Sequence, residues 1–328
     1  MQSFMFALNA ILPIILMVVL GYIIKKIGLV KKDNSKLLNK LVFRLFLPVM
    51  LFLNVYNIEL SDGIDYRYIG YAFLATVTIY LLCIPIVMLI TSKNERRGAI
   101  LQATFRSNYA LIGIPLAESL FGAEGTITAT VLLAVIVPVF NVLAVVSLSI
   151  FKRDTQKPNV IKIILDIIKN PLIISIALGG LALLVRMLFV KYSIDFRISE
   201  VKPMFKVLNY LSSVATPIAL LVLGIQFEFS AVKELRKEIF FGVLIRNLIV
   251  PLLGLGVAYL LFKDMFGGAH FAAFVAMFST PVSVSSVPMA QEMDSDVALA
   301  GQLVIWTTVI SAFSIFFASF ILKAVGIF

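Results

Sequence analysis

Arg106-Ser107-Asn108-Tyr109-Ala110-Leu111-Ile112-Gly113-Ile114-Pro115 decides how this chain is read, because it sets a charge, a polar pair, a glycine and a proline inside an apolar run. Proline lacks an N–H and clashes with the preceding helical turn, while glycine tolerates bending. A continuous helix is therefore not expected here. Hydrocarbon offers no hydrogen-bond partner, so the backbone groups freed by a break must be met by protein or by a wet cavity. The device recurs at Ser279-Thr280-Pro281-Val282-Ser283-Val284-Ser285-Ser286-Val287-Pro288. Paired breaks in two transmembrane helices are a sequence pointer to a binding site near the bilayer midplane.

The two stretches lie in a chain of 328 residues that is 61% hydrophobic and 14% charged, with a mean hydropathy of +1.03. Soluble domains are nearer half apolar and a quarter charged. Runs long enough to cross ~30 Å of hydrocarbon fall at about 4–24, 41–56, 68–90, 98–120, 126–151, 171–190, 204–224, 239–262, 270–291 and 297–322. The expected fold is an all-α integral membrane protein of about ten transmembrane helices. The first run is too long for a signal-peptide core and lacks a basic leader, so it reads as a retained span.

Leu47-Pro48-Val49-Met50-Leu51 resembles Thr216-Pro217-Ile218-Ala219-Leu220, and Ile114-Pro115-Leu116-Ala117-Glu118 resembles Val287-Pro288-Met289-Ala290-Gln291, at nearly the same offset. A repeat of five spans has an odd count, so its second copy enters the membrane upside down. The expected organisation is a first five-helix repeat over 1–152, a cytoplasmic linker with an interfacial helix over 153–170, and an inverted repeat over 171–328, with helices 4 and 9 broken and crossing. The excess of positive over negative side chains, +10, sits between spans rather than on one domain face, which speaks against nucleic acid as the partner. Basic loops after Tyr22, Ile90 and Ile150 and the loop with Lys233, Arg236 and Lys237 fall on one side, and acidic loops around Glu59, Asp62, Asp65 and around Glu118, Glu124 on the other. The positive-inside rule then puts both termini outside the cytoplasm, in a multi-pass protein of the plasma or inner membrane. The loop with Lys191, Arg197, Lys202 and Lys206, and that with Glu292, Asp294 and Asp296, run against this orientation.

Asn108-Tyr109-Ala110-Leu111-Ile112-Gly113-Ile114-Pro115-Leu116, followed by Phe121-Gly122, resembles the fourth-helix signature of the auxin efflux carrier family, which includes plant auxin exporters and compact bacterial members. Ser279-Thr280-Pro281 through Gln291-Glu292 is similar to the family's ninth-helix motif, and Ala215 to Gly224 to its seventh. The likeness spans essentially the whole chain. It implies an inverted-repeat fold like that of the bile-acid sodium symporters, an elevator-like motion, and a carboxylate held near Asn108, Pro115 and Pro281. Bacterial members of such a family are expected to carry malonate or other small acids. Two departures stand out. The long hydrophilic loop of many plant exporters is missing, and the third span, 68–90, has no acidic residue with which to shuttle protons.

The expected substrate-binding set is Asn108, Ile112, Gly113 and Pro115 at the first break, Pro281, Ser283, Ser285 and Ser286 at the second, and Asn54 and Asn141 on neighbouring spans. Half-helix N-termini carry roughly half a positive charge and suit a carboxylate. Asn247, just before Pro251, is a weaker candidate for binding an ion. Arg44, Arg106 and Arg246 are expected to snorkel to lipid phosphates at span ends. His270 reads as interfacial, Gly179-Gly180 as a close helix approach and Cys83 as a core residue.

One histidine, one cysteine and no carboxylate pair inside a span leave no constellation for an enzyme and no metal site. The expected function is secondary active transport of a small mono- or dicarboxylate by elevator-type alternating access. An anion channel, or a sodium- or proton-coupled carrier of another organic solute, stays open as the alternative, as do the coupling ion and a homodimer. No cofactor is expected.

Overall fold

The computed structural model describes residues 2–58, 65–152, 160–194 and 196–328. The expected acidic loop residues Glu59 and Asp62, and Arg153 and Lys157 of the linker, lie outside the described residues. Among the described residues all regular structure is helical. Seven stretches are long and apolar enough to cross a membrane: 34–56, 66–90, 109–150, 171–191, 202–226, 236–262 and 297–324. The chain begins with a 25-residue helix, α1 (Gln2–Lys26).

The helices that position the site are α2 (Lys32–Leu41) continuing into α3 (Leu47–Tyr56), α4 (Tyr66–Ile90), α5 (Asn94–Phe105) and α6 (Ile114–Ile150). After α7 (Val160–Ile168) and α8 (Pro171–Lys191) come α9 (Lys202–Ser213), α10 (Ala215–Gln226), α11 (Ser230–Glu234), α12 (Arg236–Leu244) and α13 (Val250–Phe262). The chain ends with α14 (Gly268–Phe278), α15 (Ser286–Glu292) and α16 (Val297–Ala324). Within α6, Phe121 and Gly122 leave helical geometry, Gly122 at φ 60° and ψ −148°. That bend falls between the runs 98–120 and 126–151, so the expected fourth and fifth spans share one long helical stretch.

Three five-residue π turns, Val42–Phe46, Tyr109–Gly113 and Ile245–Ile249, end two residues before Pro48, Pro115 and Pro251. In each, the residue preceding the proline donates its N–H five residues back: Leu47 to Val42, Ile114 to Tyr109, Val250 to Ile245. The proline ring pushes away the carbonyl four residues earlier, and the widened turn absorbs the clash without ending the helix.

The molecule is apolar outside, with a set of polar side chains embedded in a largely hydrophobic interior. Leu89, Leu260, Leu261, Phe240 and Phe320 face outward, while Gln102, Arg106, Arg246, Thr280 and Thr307 are buried. The apolar exterior suits lipid as solvent. Close helix approach relies on glycine, as is common in membranes. A Cβ on Gly224 of α10 would lie 2.0 Å from the Val18 carbonyl of α1, and one on Gly21 would lie 2.2 Å from the Leu221 carbonyl. Gly179 of α8 meets the Phe52 carbonyl of α3 in the same manner, whereas its neighbour Gly180 faces open space. The main packing pairs are α1 with α10, α3 with α8, and α6 with α14; α5 also packs on α16 and α15 on α16.

Candidate functional site

Two interruptions meet at the centre. Arg106 leaves α5 with extended backbone (φ −86°, ψ 106°), and α14 stops at Phe278, with seven residues between it and the start of α15 at Ser286. Ser107 and Val282 form an isolated antiparallel bridge. The Asn108 amide donates to the Pro281 carbonyl at 2.7 Å and the Ser283 amide to the Arg106 carbonyl at 3.3 Å. The Val282 amide is taken by Thr307 Oγ1 of α16 at 3.1 Å. Unwound backbone at this depth persists because each break supplies the partners that the other lacks.

A cavity of about 60 Å³ opens beside the bridge. That is room for a few waters or a very small solute. Its walls come from α3 (Leu47, Met50, Leu51, Asn54), α10 (Thr216, Ala219), α6 (Val137, Phe140, Asn141) and the two breaks (106–111 and 283–285). Of the expected residues it brings together Asn54, Asn108, Asn141, Ser283 and Ser285. The others stand behind the wall. Ile112 is buried, and Gly113 lies against the Tyr109 ring, where a Cβ would come within 2.8 Å of Cδ2. Pro115 occupies the first turn of α6, where its missing N–H costs nothing. Pro281 contributes its carbonyl to the bridge, and Ser286 is buried beneath the Ser283–Ser285 turn with its carbonyl held by Gln102. Asn247 donates to the Thr307 carbonyl at 3.0 Å and flanks an apolar groove between α12, α13 and α16 rather than the cavity.

The break in the fourth helix is thus earlier than its proline suggests, at 106–108. The two half-helix starts also differ. Ala110 and Leu111, in the turn that opens at Tyr109, line the cavity, and the first amides of a helix have no partner within it. The Ser286 and Val287 amides of the short α15 instead turn back to the Ser283 and Val284 carbonyls. A matched pair of positive helix ends is therefore replaced by one.

Neither Arg106 nor Arg246 snorkels. Arg106 is 3% exposed and Arg246 0%, whereas the Arg44 side chain is exposed and pairs with Glu292 at 3.3 Å. An apolar run that starts at 98 leaves Arg106 near a span end. The helix itself starts at Asn94, and twelve residues at 1.5 Å each put Arg106 about 18 Å from that start. Its guanidinium lines the cavity and donates to Asn141 Oδ1 and Ser285 Oγ, each at 2.7 Å, and to the Met289 sulfur. No carboxylate pairs with it among the described residues. A buried cation held only by neutral groups is costly unless a further anion arrives. Beside it, Asn108 Nδ2 and Ser107 Oγ are buried without a hydrogen-bond partner among the described residues.

Arg246 is engaged differently. Its Nε donates to the Thr280 carbonyl at 3.0 Å, Nη2 to those of Thr280 at 2.7 Å and Met277 at 2.9 Å, and Nη1 to that of Thr104 at 3.3 Å. It caps the C-terminal ends of both α5 and α14, where orphan carbonyls gather. Among the described residues no group of three His, Cys, Asp or Glu side chains is placed to hold a metal ion.

A membrane transport protein family model matches residues 6–319. An uncharacterized transporter of Methanothermobacter thermautotrophicus is 24% identical over 328 residues, covering 95% of this chain and 97% of that protein. The uncharacterized transporter MJ1031 of Methanocaldococcus jannaschii is also 24% identical, over 259 residues, covering 73% of this chain and 74% of its own length.

Proposed function

Because the chain belongs to the membrane transport protein family, that of the auxin efflux carriers, we propose that it is a secondary carrier of a small organic anion, bound at the crossing of its two broken helices. One observation carries this reading: a buried guanidinium, Arg106, lines a cavity where no acid balances it among the described residues, next to an amide donor, Asn108 Nδ2, that has no partner among them. A carboxylate supplies what is missing, one negative charge and acceptors for both groups. The cavity of about 60 Å³, well under the ~300 Å³ of drug-sized sites, favours an acid of a few carbons such as malonate. Ser283, Ser285, Asn141 and Asn54 complete the polar lining.

The same reading covers how the anion crosses. The pairs α1 with α10 and α3 with α8 exchange under a repeat that maps the first five spans on the last five, as do α5 with α16 and α6 with α14. This supports two inverted repeats, 1–152 and 171–328, about the linker 153–170. The helices α1 to α3 and α8 to α10 form a scaffold, and those carrying the breaks slide against it in an elevator motion. The lysine-rich end faces the cytoplasm of a plasma or inner membrane.

Purified protein is screened by thermal shift against mono- and dicarboxylates of two to five carbons, and hits are tested for counterflow in proteoliposomes. Saturable counterflow that disappears in Arg106→Gln supports the carrier. Single-channel currents in place of counterflow, or an Arg106→Gln variant that binds and carries as well as the parent, would overturn it.

A further inference from the structure

The two buried guanidiniums at the crossing are neighbours with unlike surroundings. Arg106 faces the cavity, whereas Arg246 does not line it and spends its donors on three backbone carbonyls: Thr104 near the end of α5, Met277 in the last turn of α14, and Thr280 just beyond it. Carbonyl oxygens at half-helix C-termini are the ligands with which membrane carriers hold a coupling sodium ion. Each such terminus carries about half a negative charge, so two converging ends amount to about one. Arg246, fully buried and without a carboxylate partner among the described residues, supplies one positive charge at that point. Asn247, the expected ion ligand, donates its Nδ2 to the Thr307 carbonyl, and its Oδ1 is buried without a hydrogen-bond partner among the described residues.

We infer that Arg246 is a tethered cation occupying the place of a coupling ion, so that the transport cycle runs without sodium. The inference concerns the back of the crossing and holds whichever anion the cavity takes. It assigns the three carbonyls to Arg246 in every state of the cycle, because a charge tied to α12–α13 cannot be released with the substrate. Its loss leaves a carbonyl-lined hole that a free cation can enter.

The test is run on purified full-length protein with no organic anion present, so that it stands apart from the identity of the substrate. Unfolding midpoints are measured in sodium, potassium and choline chloride at equal ionic strength, for the parent, Arg246→Ala and Arg246→Lys. The parent and Arg246→Lys are expected to show the same midpoint in all three salts. Arg246→Ala is expected to melt lower, and to recover part of the loss when millimolar methylguanidinium or sodium is added, as ligand linkage requires. A saturable rise of the parent's midpoint specific to sodium would overturn the inference. So would an Arg246→Ala protein that melts with the parent, or one that no cation restores. If Arg246→Ala does not fold, the parent's salt series and the behaviour of Arg246→Lys decide the matter: a Lys variant that gains sodium dependence counts against it.

Discussion

Arg106 and Asn108 divide the recognition of an anion between a full charge and a directed donor. Arg106 rests on Asn141 and Ser285, so its fork is oriented before any substrate arrives, which spares the ordering cost of binding. Removing one partner of a buried charge pair typically costs 2–5 kcal/mol. Arg106→Gln is accordingly expected to weaken binding of the best acid in the screen by about 30-fold or more, read by titration of the purified protein. Asn108 acts through its side chain alone, since its place in the fold is fixed by its backbone amide on Pro281. Asn108→Ala is therefore expected to keep the parent's melting temperature while losing about 1.5–3 kcal/mol of affinity, the range for a hydrogen bond to a charged group. Unchanged affinity would remove Asn108 from the site. The sequence displays Asn108 openly, as an amide in an apolar run beside glycine and proline. Arg106, two residues away, is not legible in the same way, because a long cation near the edge of a hydropathy window is indistinguishable from a snorkelling one until the helix start is known.

At the scale of elements, the sequence displays that the expected fourth and ninth spans break, but not where. Pro115 sits after the break, inside a helix whose preceding turn has widened to accept it, as Pro48 and Pro251 do on α3 and α13. The interruption instead occurs where two strands of backbone can bridge, at Ser107 and Val282, and such a partnership between distant segments leaves no local trace in composition. Gly122 is a sharper case. Its φ of 60° with ψ −148° belongs to a region open essentially to glycine alone, and nothing lies within 4 Å of where its Cβ would be. Gly122→Ala thus isolates backbone strain from crowding and is expected to cost about 1–3 kcal/mol, seen as a lowered unfolding midpoint. Gly180→Ala, which also meets open space but lies within the regular helix α8, is expected to stay within about 0.5 kcal/mol of the parent. Equal midpoints for the two variants would show that the bend in α6 carries no strain.

At the scale of the whole molecule, the proposed motion requires that some contacts between the scaffold helices and the broken-helix group be released in every cycle. The candidates are polar and gathered at the lysine-rich end. Gln226 at the end of α10 donates to Gln291 of α15 at 3.0 Å, Gln291 donates to the Lys36 carbonyl of α2 at 3.2 Å, and Arg44 pairs with the neighbouring Glu292. Contacts of this kind are worth little individually, so they suit a seam that opens and closes. The apolar packing of α1 on α10 at Gly21 and Gly224 lies wholly within the scaffold and need not change. Cysteines at Gln226 and Gln291, in a background where the buried Cys83 is replaced by serine, can be joined by a short reducible bis-thiosulfonate reagent across the width of one hydrogen-bonded glutamine pair. If the two groups slide, the joined protein is expected to bind its acid with unchanged affinity and to lose counterflow, and reduction is expected to restore it. If instead only small gates move around a stationary cavity, counterflow continues in the fully joined protein. That result would exclude the elevator while leaving the role of Arg106 intact, because the charge at the crossing and the motion that carries it are separate claims.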